Sequence, residues 1–132
     1  MNSIILTLFF MVLYSCAHND PKISHTSGYD LHKQDGHCSL SRHGRFITKL
    51  KLKWPCQFHL DPQNELRIKK LDKYDVFLIE HSEKLATTTK DCRTQVQAVR
   101  IFDGKTEASQ YVNNVAICLP FQWDEKVFIG LF

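Results

Sequence analysis

The chain has 132 residues, with 17 Lys and Arg against 14 Asp and Glu, a formal charge of +3, five cysteines and seven histidines. That length suits one domain of the common size, roughly 100–150 residues, rather than an array of several. So mild a charge does not by itself point to nucleic acid.

The first seventeen residues hold an apolar run from Ile4 through Tyr14, broken only by Thr7 and ending at Ser15-Cys16-Ala17. A run of about a dozen apolar residues is shorter than the ~20 needed to span a bilayer and matches the core of an export signal. A signal peptide is therefore expected over residues 1–16. Leu13-Tyr14-Ser15-Cys16 resembles the lipobox of bacterial lipoprotein precursors, where a small residue precedes the cysteine that becomes the diacylated N-terminus. The resemblance implies a lipid anchor on Cys16 and, since Ala17 rather than an aspartate follows, sorting to the outer membrane. The competing cut treats Ser15 and Ala17 as the small residues of an ordinary signal-peptidase site and releases a soluble periplasmic or extracellular chain from His18.

Residues 17–37 are polar, with Ile23, Tyr29 and Leu31 as the main apolar side chains, and are expected to form a flexible linker or stalk that cannot offset its own ordering entropy. Five histidines, His18, His25, His32, His37 and His43, fall in or just after it and offer imidazoles for zinc or copper. Their gaps match no compact ligand motif, and a solvated linker tolerates histidine freely.

The folded domain is expected over residues 38–132. Residues 46–54 alternate, with Phe46, Leu50, Leu52 and Trp54 on one face and Lys49, Lys51 and Lys53 on the other, which reads as a strand with one covered side. Pro55 bends that strand or marks an edge. Asp61-Pro62-Gln63-Asn64 reads as a type I turn joining a hairpin of residues 57–60 and 65–71. Tyr74 to Glu80, with Val76-Phe77-Leu78-Ile79 unbroken, reads as a central strand covered on both faces. Residues 81–91 read as a surface loop or one helical turn. Cys92 to Phe102 is a strand, and Asp103-Gly104 turns it back on a return strand from about Ala108 to Leu119, with a helix over Thr106 to Asn113 as the alternative. Lys126 to Phe132 reads as a final short strand tucked into the core. The five glycines look scattered and no internal repeat is evident. The fold expected is mainly β, with a β-rich α+β arrangement possible, as a small antiparallel sheet or sandwich.

Setting Cys16 aside leaves Cys38, Cys56, Cys92 and Cys118, an even number in a small exported domain, which reads as two disulfides. If the chain doubles back at Asp103, Cys92 and Cys118 come opposite each other, leaving Cys38 with Cys56.

No nucleophile with its base, metal-ligand spacing or phosphate loop is recognisable, so no catalytic residue and no cofactor is expected. His59 with Asp61, and Glu80 with His81, are neighbours that chance explains. The basic set Arg42, Arg45, Lys49, Lys51 and Lys53 lies in a stretch without an acidic residue between Asp35 and Asp61. It offers a positive stripe to an acidic protein or an anionic envelope polymer, although lysines on an edge strand also serve simply to prevent aggregation. Aromatics expected on the opposite face argue against nucleic acid. The function expected is a non-catalytic, inhibitor- or immunity-like binding protein meeting a macromolecular partner in the periplasm or at the cell surface. The alternatives are a periplasmic metal-binding protein and a structural envelope lipoprotein.

Overall fold

Four X-Gly pairs organise the strands of the domain. In Ser27-Gly28, Asp35-Gly36, His43-Gly44 and Asp103-Gly104 both residues have positive φ, from 48° to 77°. That is the backbone of a type I′ turn, whose twist matches that of the strands it joins. Gly28, Gly36 and Gly44 recur every eight residues, the length of a six-residue strand plus a two-residue turn. The glycines are therefore spaced, not scattered, and they wind the N-terminal half into a meander.

The computed structural model describes residues 25–86 and 90–132. The expected signal peptide, Cys16, His18 and Thr87-Thr88-Thr89 lie outside the described residues. Strands β1 (His25–Thr26), β2 (Tyr29–Gln34), β3 (His37–Arg42) and β4 (Arg45–Lys53) form one antiparallel sheet in that order. The expected linker thus gives way to ordered strand by His25, well before Cys38. The cause is in two side chains: Tyr29 and Leu31, on one face of β2, are buried in the core and anchor the segment.

Strands β5 (Gln57–Phe58), β6 (Lys69–Lys70), β7 (Asp75–Lys84), β8 (Cys92–Phe102), β9 (Lys105–Ala108) and β10 (Asn113–Val115) form the second sheet. β7 and β8 pair over ten residues, from Asp75↔Ile101 to Lys84↔Cys92. β5 and β6 share the far edge of β7, while β9 and β10 share the far edge of β8. The expected hairpin over 57–71 keeps its turn, where Asn64 N donates to Asp61 O at 3.0 Å, but the two arms meet only at Leu60↔Leu66 before each joins β7. β7 also runs on through His81–Lys84, where a loop was expected.

Strand β7 has a covered surface on each side. Phe77 and Ile79 face the meander and pack with Tyr29, Leu31, Leu40, Leu50, Leu52, Phe58 and Val99. Val76 and Leu78 face the other way, against Val96, Ala98, Trp123, Phe128 and Leu131. The second layer is closed by the C-terminal segment, which is helix α1 (Glu125–Ile129) and not the expected strand. Asp124 caps it by accepting from Lys126 N at 2.9 Å, and Phe128 points inward. A capping acid placed before the apolar run is the local signal that favours helix here.

One buried polar side chain joins the meander's edge to the second sheet. Gln97, on β8, is buried, accepts from Lys51 N at 2.9 Å and donates to Ser109 O at 2.8 Å. It thereby satisfies a backbone donor on the free edge of β4. After β9, Ser109 holds the chain to Ala98 in both directions, and 109–112 insert two extra residues before β10, so no helix forms over 106–113. The two disulfides are Cys38–Cys56 and Cys92–Cys118, as the spacing led one to expect. They clip the meander to β5 and the start of β8 to the segment after β10.

Gln97→Met keeps the volume and strands both backbone groups, so it is expected to lower stability by about 2 kcal/mol, read from the midpoint of urea unfolding.

Candidate functional site

The lysine stripe lies where the alternation places it, on the exposed side of β4, but its charges are engaged. Lys49 reaches Asp35 at 3.6 Å, Lys53 reaches Glu83 at 3.6 Å, and Lys51 Nζ donates to Gln110 O at 2.6 Å. All three are exposed, so each contact is a weak one. Their geometry nonetheless ties β4 to its surroundings.

Arg42 and Arg45 differ. They face each other directly across the β3–β4 turn, an arrangement that like charges disfavour. Among the described residues neither has an acidic partner within ion-pair distance. Arg42 lies over the Tyr29 ring at 5.1 Å, and the Tyr29 hydroxyl is 3.1 Å from Thr106 Oγ1. Three turns converge there: His43 N donates to Gly28 O at 2.8 Å, and Gly104 lies across from them. Between the tips is an open cleft of about 640 Å3 lined by Arg42, His43, Arg45, Ile47, Gly104 and Thr106.

A bulge shapes this end of β4. Leu40 pairs with Thr48 but Ser41 with Phe46, so Ile47 is an extra residue. The insertion reverses the alternation: Ile47 turns toward the core, and Phe46, expected inside, is 63% exposed.

Among the described residues, His32, His37 and His43 do not converge, while His18 and the His25 side chain lie outside the described part. His32 Nε2 bonds Ser41 Oγ at 2.8 Å and His37 Nδ1 bonds Asp35 O at 3.1 Å, while His43 sits at the turn against Gly28. Among the described residues no group of three or more His, Cys, Asp or Glu side chains is arranged to hold a metal.

The strongest polar cluster pairs residues differently from their order in the chain. Glu80 and His59, both 2% exposed, meet at 2.8 Å between Glu80 Oε1 and His59 Nδ1. Trp123 Nε1 donates to the same carboxylate oxygen, and Gln57 Nε2 approaches the other at 3.4 Å. Arg67 Nη1 stands 3.3 Å from His59 Nε2 and donates to Trp123 O at 2.7 Å. A guanidinium can only donate, so Nε2 accepts and Nδ1 carries the proton given to Glu80. Asp61, the chain neighbour of His59, instead caps its own turn by accepting from Gln63 N and Glu65 N. The signal for this network was a carboxylate inside a strand covered on both faces, which must find donors. Its side chains tie β5, β7 and the C-terminal segment together.

Comparison of the chain with protein-family models, curated proteins and solved structures finds no match.

Glu80→Ala leaves the Trp123 indole and His59 without their acceptor and is expected to cost about 3–5 kcal/mol. Tryptophan fluorescence followed through denaturant unfolding reads both the loss and the release of Trp123.

Proposed function

We propose that the protein is an exported, non-catalytic binding protein that receives an anionic group of a macromolecule in the cleft between Arg42 and Arg45. The observation that carries this reading is the opposition of two exposed arginines that have no carboxylate within ion-pair distance among the described residues, at the mouth of a 640 Å3 opening. Placing like charges across a strand pair is unfavourable until an anion bridges them, and two guanidiniums offer the paired donors that carboxylates, phosphates and sulfates accept. Ile47 supplies an apolar wall and the turn at Gly104 an exposed backbone. Rigid type I′ turns on a disulfide-clipped sandwich hold these groups in place before binding, which lowers the ordering cost.

Export is supported by the apolar leader and by two disulfides, which persist in oxidising compartments. With Cys16 acylated, the domain would be held at an envelope membrane and present the cleft to a partner there. A catalytic role has less support. Glu80 and His59 are committed to Trp123, Gln57 and Arg67, and the cavity beside Glu80 is about 160 Å3, below the ~300 Å3 at which small-molecule sites begin.

The test compares variants of equal charge on immobilised heparin and polyglutamate. Arg42→Glu/Arg45→Glu is expected to elute at lower salt than Lys33→Glu/Lys126→Glu, although both change the net charge equally. Coincident elution would show that only overall charge matters and would remove the cleft from the account.

A further inference from the structure

Past the Gln97 clamp, the face of the second sheet that looks toward the meander turns polar. His81 and Glu83 are both on that face of β7, and Gln95 on β8 is the cross-strand partner of His81. His81 is 5% exposed and its Nδ1 lies 2.7 Å from Pro55 O. A carbonyl can only accept, so Nδ1 carries the ring proton and Nε2 presents a lone pair in the neutral imidazole. That Nε2 is buried and has no hydrogen-bond partner among the described residues, and neither has Gln95 Oε1. Gln95 Nε2 donates to Asn114 Oδ1 at 3.2 Å, on the β10 side, so the amide's donor is taken and its buried oxygen is the atom left without a partner, on the residue that pairs with His81. Two buried acceptors on paired residues, each lacking a donor, are costly unless a water or a cation meets them, and a carboxylate beside them favours the cation.

We infer that His81 Nε2, Glu83 Oε2 and Gln95 Oε1 form a binding site for a divalent cation of the zinc class. Glu83 Oε2 lies 3.7 Å from His81 Nε2, while the other Glu83 oxygen is the one that Lys53 approaches at 3.6 Å. Two ligands each about 2.1 Å from one zinc ion stand roughly 3.4 Å apart in a tetrahedral site, so a small closure of the Glu83 side chain brings both into reach. The Nδ1–H bond to a backbone carbonyl is the outer contact that fixes tautomer and ring orientation in metal-binding histidines. A neutral imidazole, a carboxylate and an amide oxygen suit zinc or copper, with solvent completing the shell. The Glu83 side chain is 38% exposed and gives the ion its entry. Two of the three ligands alternate along one strand and the third comes from its neighbour, so the spacing resembles no linear motif. The site is separate from the N-terminal histidines and from the arginine cleft.

Zinc titration of the oxidised full chain, followed by calorimetry and by the 15N shift of His81 Nε2, tests this. Thiol reductant is omitted because freed cysteines bind zinc. One ion per chain is expected, with the His81 nitrogen shifting on binding. Glu83→Gln, a change at a partly exposed side chain, and His81→Gln are each expected to weaken binding by at least about tenfold. A variant with His18, His25, His32, His37 and His43 all changed to Gln is expected to bind as before. Absence of binding, or binding that survives Glu83→Gln and vanishes in the N-terminal variant, would overturn the site. Should His81→Gln fail to fold, Glu83→Gln decides.

Discussion

Burial of β7 on both faces is the constraint from which the architecture follows. A strand whose successive side chains point to opposite sides can be wholly apolar only if each side has a cover. Here Phe77 and Ile79 are covered by the meander, and Val76 and Leu78 by α1 and the segment leading into it. Each layer packs on β7 and β8, so these two strands are a wall shared by two cores. Gln97 and the two disulfides then fix the layers where apolar packing alone would let them slide.

The same constraint explains where the polar groups gather. Glu80 continues the inward alternation of Val76 and Leu78, and a carboxylate carried into that core has to be met by His59 and Trp123. His81 continues the alternation of Phe77 and Ile79 and is buried where β4 ends, its ring held by the backbone at Pro55. The polar end of β7 and the arginine cleft at the turns of β3–β4 and β8–β9 are therefore separate features. The first lies where the last residue of β4 and Pro55 meet β7, the second where three tight turns meet beyond the core.

Much of this was legible in the residues. The apolar run 76–79 gave the shared wall, the strand at 92–102 and its Asp103-Gly104 turn were plain, and the doubling back gave the disulfide pairing. The eight-residue spacing of Gly28, Gly36 and Gly44 carried equal information: each glycine follows Ser, Asp or His in the pattern of a tight turn. Tyr29 and Leu31 were too few to mark a strand by composition, yet on a short strand two inward side chains suffice. The bulge at Ile47 had no local sign, because an inserted residue is defined by its partner strand. The pairing of His59 with Glu80 depends on β5 lying beside β7, which neighbour spacing along the chain does not encode. At the C-terminus the apolar content of residues 126–132 reads as a strand, whereas Asp124, placed to cap, makes the segment a helix.

Native-state hydrogen exchange tests the shared-wall claim most directly, since slow amides report the last structure to open. The account predicts that the amides of residues 76–81 and of their β8 partners are the slowest in the domain, outlasting both the meander and α1. Amides of β2 and β3 that remain protected after β7 has exchanged would contradict it, because the meander would then hold together without the wall it is said to need.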